Sequence, residues 1–319
     1  MNHPASSHTV PVLITWDADP DEWIPLDNRL QALRTAMDLC RRHEIRATFF
    51  VTATAAEAYR DEIARMQHQG HEVGCHGLTH GTEENYDQMP EAMQRAYIGQ
   101  ATEQLQAVTG VPIQAFRAPR VKVGAPTMKV LVEHGYRVDS SVCSQRIDFV
   151  SSNLINLGWV FAPRRPYRPR ADNVFRAGDM PIWEAPVSAT GAPFISTLLR
   201  IFSVGMLKIL FRLLYIESHH TGKPIVYLAH PAEFVSGGGG GGWKQWRDFI
   251  EPEYFKPSFI RAHGLRLRNL FYRASGQMMI EYTRELLAYM ASFPDVVFMT
   301  VGDYTAQYLG NIWMEDDHA

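Results

Sequence analysis

Through roughly its first 140 residues the chain alternates short apolar runs with stretches of helical period, and that rhythm leaves few folds open. Residues 12–16, 47–52, 72–75, 114–117 and 136–139 read as strands. Between them, residues 28–43 place Leu30, Leu33, Met37 and Cys40 three and four apart, the stripe of an amphipathic helix. Residues 55–69, 90–109 and 126–134 read as further helices, each stopped by a glycine: Gly70, Gly110 and Gly135. Strands that alternate with helices pair in parallel and need cover on both faces. The expected fold is therefore α/β, a parallel sheet or barrel, and in such folds chemistry gathers where strands end.

The second half is less regular. Residues 159–176, rich in Pro and Arg, read as a long loop. Residues 182–186, 224–229 and 296–300 read as strands, 194–217 and 277–292 as helices, and Asp303 caps a last short helix. Six consecutive glycines occupy 237–242, with Trp243 and Trp246 after them. The βα pattern resumes beyond the glycines, so they read as a mobile loop inside one domain. The expected organisation is a single domain over 1–319, its core at about 12–309, with insertions or lids around 159–180 and 235–273.

Bulk properties exclude some classes. A net charge of -3 gives no general attraction to nucleic acid, and a hydrophobic fraction of 46% fits a globular chain. The three cysteines cannot all pair and none lies in a C-x-x-C spacing, which argues for a reducing compartment. The first eight residues lack a basic start and an apolar core, so a secretory leader is not expected. Cytoplasmic location follows as the expectation.

Chemistry-bearing residues fall at the predicted strand ends. Asp17 and Asp19 follow the run 12–14, and His76 and His80 follow the strand at 72–75. Two histidines and a carboxylate can hold Zn²⁺ with a coordination position left open, and the second carboxylate can then act as a base. Asp21 and Glu22 compete with Asp17 and Asp19 for these roles, and a turn or helix cap would use the same residue types. Cys75, next to His76, offers a further donor but reads as a buried strand residue. Arg117, Asp139 and His230 also stand at predicted strand ends.

These pieces, in order, resemble the polysaccharide deacetylases with a NodB-homology domain, carbohydrate esterase family 4, over roughly residues 12–309. Thr15-Trp16-Asp17-Ala18-Asp19 resembles the first motif, in the Asp-x-Asp form of the branch with atypical peptidoglycan deacetylases, allantoinase-like enzymes and deformylases of lipid-linked aminoarabinose. His76-Gly77-Leu78-Thr79-His80 resembles the second, and Phe116-Arg117-Ala118-Pro119-Arg120 the third, with Arg120 where an aromatic is more usual. Residues 136–141 resemble the fourth and Tyr227-Leu228-Ala229-His230-Pro231 the fifth. The resemblance implies a distorted (β/α) barrel with one divalent metal, Zn²⁺ first, with Co²⁺, Ni²⁺ or Mn²⁺ as alternatives. It makes Asp19, His76 and His80 the ligands, Asp17 the base, and His230 the acid that protonates the leaving amine. Arg117 would orient Asp17, and Asp139 would support His230 or Arg117. Arg120, Leu228 and Trp243 are the expected substrate contacts. The implied reaction removes an N-acetyl or N-formyl group from an amino sugar of a cell-envelope glycan, peptidoglycan or lipid-linked precursor. A cyclic amide of the allantoinase kind is the alternative substrate, and a non-catalytic binding protein on this fold the alternative class.

One segment points toward a surface. The apolar residues of 194–216 cover more than a narrow stripe, and Arg200, Lys208 and Arg212 interrupt them. Residues 194–273 hold eleven Lys and Arg against five Asp and Glu, in a chain that is acidic overall. That segregation, with the nearby tryptophans, suits peripheral contact with an anionic membrane or a lipid carrier. The other reading is a barrel helix with a wide buried face.

Overall fold

A computed structural model of the chain describes residues 9–145, 157–236 and 271–310. Eight strands form one curled parallel sheet: β1 Val10–Ala18, β2 Thr48–Val51, β3 Glu72–Cys75, β4 Ala115–Phe116, β5 Val138–Asp139, β6 Trp183–Glu184, β7 Ile225–Ala229 and β8 Val296–Phe298. The order across the sheet is β7-β1-β2-β3-β4-β5-β6, and β8 also pairs with β1. Helices α1 Leu26–Arg41, α2 Arg60–His68, α3 Glu91–Thr109, α4 Ala125–Glu133, α5 Val204–Thr221 and α6 Gln277–Ala291 cover it. β1 is buried along its whole length, as a parallel strand covered on both faces must be.

The expected distorted (β/α) barrel is the fold observed. Its distortion has a local cause. Beyond β6 the sheet reaches β7 through irregular backbone: Ser188 N–H donates to Val226 O at 3.1 Å, and Leu228 N–H donates to Phe194 O at 3.3 Å. The barrel is drawn together there without a full strand.

Three expectations change in detail. The helix read at 55–69 is two pieces, Ala53–Ala56 and α2, because Tyr59 leaves the helix and its hydroxyl donates to Asp19 O at 3.0 Å. The loop read at 159–176 contains a helix, Leu157–Phe161, and an antiparallel pair, Pro169–Arg170 with Asn173–Ala177. The helix read at 194–217 is split: Phe194 and Ile195 are held by β7, a short helix runs over Ser196–Ile201, and Ser203 is extended before α5 begins. The glycine run at 237–242 and Trp243 lie outside the described residues.

Candidate active site and metal centre

Parallel register brings the strand ends to one rim. Asp17 lies in β1, paired with Phe50 of β2, and Val51 pairs with Cys75, so His76 emerges beside the end of β1. Cys75 in turn pairs with Phe116, which puts Arg117 next to His76.

Arg117 is fully buried. Its Nη1 donates to Asp17 Oδ1 at 2.8 Å and to Thr15 Oγ1 at 2.7 Å, and Nε and Nη2 donate to Ser140 O and Oγ, both at 2.8 Å. The guanidinium carbon also lies 4.3 Å from the centre of the Phe50 ring. A buried cation is tolerable only with this kind of pairing. Asp17 is thereby fixed in orientation, with its other oxygen 3.8 Å from His76 Nε2.

His76 Nδ1 lies 2.8 Å from the Arg117 carbonyl oxygen. A carbonyl only accepts, so Nδ1 carries the proton and Nε2 faces the carboxylates. Nε2 is 3.3 Å from Asp19 Oδ1, and His80 Nε2 is 3.6 Å from the same oxygen. Asp19 Oδ1 is buried and accepts no hydrogen bond. Lone pairs converging on a bare carboxylate oxygen repel one another unless a proton or cation joins them. One ligand atom from each of Asp19, His76 and His80 lies within 4.8 Å of the others. This donor set fits a single divalent cation with room for further ligands. The Arg117 carbonyl supplies the outer contact that fixes the tautomer and ring of His76.

The electrostatics follow from burial and crowding. Burial opposes ionisation of Asp19, yet His80 and His76 together hold its carboxyl below the usual range. Burial pulls His80 down to about 4, whereas for His76 burial is outweighed by Asp17 and Asp19, which raise it. Asp21, which competes with Asp17 and Asp19 in the sequence, is pushed up to about 7 by burial and by the charge of Asp19, and it stands outside the ligand cluster.

His230 follows β7 on the opposite side. Its Nδ1 is 3.5 Å from Ser196 Oγ and 3.8 Å from Glu233 Oε1, and its side chain is 30% exposed. Its charge acts on both Asp19 and Asp21. Asp139 is placed elsewhere than beside His230. It accepts from Ser141 Oγ at 2.6 Å and shares a fully buried environment with Glu184, which accepts from Val142 N–H at 3.0 Å. Burial and the charge of Asp139 push Glu184 well up, and burial raises Asp139 as well. This pair lies within the field of Arg117.

Of the expected substrate contacts, Leu228 is buried at 6% exposure. Arg120 is directed at the loop that carries His80: Nη1 donates to His80 O at 3.1 Å, and Nη2 to Gly81 O at 2.6 Å and Glu84 O at 2.8 Å. Sequence reading passed over Glu84, Glu184 and Glu233, each buried and each tied to the site. For Glu84 a signal was present: turn-forming Gly77, Gly81 and Asn85 surround it, so a carboxylate there can accept loop amides. A cavity of about 380 Å³, lined by Arg46, His71, Glu72, Arg137, Trp183 and Asp303, lies where strands begin, away from these groups.

Strand-end carboxylates and histidines thus converge on one candidate cation site, with a buried arginine behind them. The polysaccharide deacetylase family model matches residues 6–138. Over that stretch, which is less than half of its length, the chain is similar to this family. The peptidoglycan deacetylase of Helicobacter pylori is 26% identical over 106 residues, 33% of this chain and 35% of that protein. A polysaccharide deacetylase-named protein of Bacillus subtilis is 24% identical over 102 residues, 32% of this chain and 36% of that protein. The matches thus span about a third of the length of these curated relatives. Two solved structures share the fold across nearly the whole chain. A polysaccharide deacetylase candidate from Mycobacterium smegmatis has a TM-score of 0.60 at 18% identity, covering 95% of this chain and 91% of that one. The Puue allantoinase has a TM-score of 0.57 at 16% identity, covering 96% and 95%.

Proposed function

We propose that the chain, acting as one deacetylase domain, is a metal-dependent amide hydrolase that removes an N-acetyl or N-formyl group from an amino sugar of a cell-envelope glycan or its lipid-linked precursor. The observation that carries this reading is the placement of Asp17, held by Arg117, against the cluster of Asp19, His76 and His80. A divalent metal on that cluster, Zn²⁺ first, would supply Lewis-acid polarisation of the amide carbonyl and a more acidic water. Asp17 takes a proton from the attacking water. Arg117 holds the Asp17 carboxylate in place through that transfer and keeps its charge paired while the site is dry. His230 gives a proton to the departing nitrogen as the C–N bond breaks, leaving a free amine and a carboxylic acid. The half-exposed position of His230 keeps it in contact with solvent, from which the next proton comes.

The same groups would open a small cyclic amide, and the allantoinase-like fold supports that second reading. Metal-loaded protein is to be incubated with N-acetylated and N-formylated amino-sugar oligomers, lipid-linked amino sugars and cyclic amides, with release followed by mass spectrometry. The proposal expects acyl loss from an amino sugar. Ring opening without any acyl loss would select the cyclic amide, and no turnover at all would select a binding role.

For location, the reading is a cytoplasmic protein with peripheral contact at the inner face of an anionic membrane. Phe202, Met206, Ile209, Leu213 and Ile216 are exposed at helical spacing along α5 and its approach, with exposed Arg212 among them. Arg200 does not take part: it is 3% exposed, 3.8 Å over the Tyr272 ring and 3.9 Å from Glu233. Lys208 bonds Glu285 at 2.6 Å. No helix among the described residues is long and apolar enough to cross a membrane.

A further inference from the structure

His80 is the least conventional of the three ligand residues, and its backbone explains why something must hold it. Its φ is 57°, in the left-handed region that a side chain with a Cβ rarely adopts. It also stands at the far end of a loop rather than on a strand. Such a conformation persists only when the surroundings over-determine it.

The surroundings do so through two residues that approach from opposite sides. Glu84 is fully buried. Its Oε1 accepts Leu78 N–H at 2.7 Å and its Oε2 accepts Thr79 N–H at 2.7 Å and His80 N–H at 2.8 Å. Thr79 Oγ1 donates to Oε2 at 2.9 Å and the Tyr86 hydroxyl to Oε1 at 2.7 Å. Arg120 donates to the carbonyls of residues 80, 81 and 84 and, at 3.2 Å, to Asn85 Oδ1. Two further loop carbonyls, of Gly77 and Leu78, accept from Ala53 and Thr54 N–H at 3.0 and 2.9 Å. Gly77 makes this possible twice over. Its φ is +75°, and a Cβ built on it would lie 2.5 Å from Glu84 Oε1, in the space the carboxylate uses.

We infer that Glu84 and Arg120 are positioning residues for the metal centre: together they clamp the loop at 77–84 so that His80 is held toward Asp19 and His76 before any ion arrives. The inference rests on the metal-centred reading above. It reassigns Arg120 from a substrate contact to a support for a ligand. A carboxylate accepting three successive amides pre-orients the loop ahead of metal binding. Contacts behind a ligand typically change metal affinity by roughly 10–100-fold.

The test is a Zn²⁺ titration of the metal-free full chain against a chromophoric chelator, with Co²⁺ absorption as a second readout. Glu84→Gln turns one acceptor oxygen into an amide donor that faces N–H groups. It should weaken Zn²⁺ by roughly 10–100-fold, and should shift the visible Co²⁺ bands because the ligand geometry changes. Arg120→Met should act in the same direction from the carbonyl side. Tyr86→Phe removes a donor to Glu84 but leaves the amides their acceptor, and should stay within about twofold of wild type. If Glu84→Gln does not fold, Arg120→Met decides alone. Zn²⁺ affinity within about twofold of wild type and unchanged Co²⁺ bands in the folded variants would make the clamp mere loop support and overturn the inference. Wild-type protein that takes up no Zn²⁺ would overturn the metal reading as well, and is distinguishable because it appears before any substitution is made.

Discussion

Arg117 meets its four acceptor atoms at 2.7 to 2.8 Å, whereas His230 meets Ser196 at 3.5 Å and Glu233 at 3.8 Å. The first region is built from neighbouring strands β1 to β5, where parallel register fixes which side chains meet. The second is built from β7, the short helix Ser196–Ile201 and the chain near residue 274, which are joined by irregular backbone. In the proposed mechanism the base side is therefore set by the sheet itself, and the acid side by looser contacts. Loss of a base-side group should cost both chemistry and stability, while loss of an acid-side group should cost chemistry alone.

The largest effect should come from the two proton-transfer groups. Asp17→Asn and His230→Ala should each lower kcat by about 10²–10⁴-fold, since each acts only as a proton moves. Steady-state kinetics on the acylated amino sugar checks this, and His230→Ala should leave the urea midpoint nearly unchanged. A near-normal kcat for His230→Ala would remove the acid side from the mechanism. Next comes Arg117→Met, which strands the Asp17 carboxylate in a buried site. Breaking a buried pair costs about 3–5 kcal/mol. Urea unfolding of the metal-free protein reads it directly, and a loss below about 1 kcal/mol would mean that the base side is no better built than the acid side.

A third expectation concerns pH. Asp139 and Glu184 both have folded pKa values above their unfolded ones: burial raises each, and the charge of Asp139 adds to the rise of Glu184. Their contribution to stability is complete below the unfolded carboxyl range and is lost as pH rises through the folded values. Glu184→Gln should flatten this decline, by at most about 1.4 kcal/mol per pH unit for one proton. An unchanged slope between pH 4 and 8 would show that the pair is not protonated in the fold. The smallest effect is at the exposed face of α5. Wild type should sediment with anionic vesicles and not neutral ones, more weakly as salt rises. Arg212→Glu should weaken this by about 1–2 kcal/mol, on the scale of one basic residue at a charged surface. Protein that stays in the supernatant at low salt would remove the membrane face.

Many of the strand positions and much of the rim were legible because both depend on local pattern. An apolar run followed by Asp or His survives inspection without knowing its neighbours, and so Asp17, Asp19, His76, His80 and Arg117 could be named. The buried carboxylates were not legible, because each has meaning only through partners set by the fold. Glu184 reads as the end of a short strand until Asp139 is found beside it, 45 residues earlier in the chain. Arg200 reads as a solvated charge on an apolar helix until Tyr272 and Glu233 close over it. The single helix read at 194–217 failed for a related reason. Its apolar residues surround the axis, so periodicity cannot register that Phe194 and Ile195 are bound to β7 while Ser203 is extended. Asp139 was read as a partner of the site from its strand-end position alone, and position did not specify that Ser141 and Glu184 would be its contacts.

The most direct measurement is metal content by elemental analysis of wild type, Asp17→Asn, Asp19→Asn and His76→Ala, each loaded with Zn²⁺ and desalted. The account predicts about one ion per chain in wild type and in Asp17→Asn, as for a single open catalytic site. It predicts a large loss in Asp19→Asn and His76→Ala. Retention by Asp19→Asn together with loss in Asp17→Asn would contradict it, by exchanging the ligand and the base.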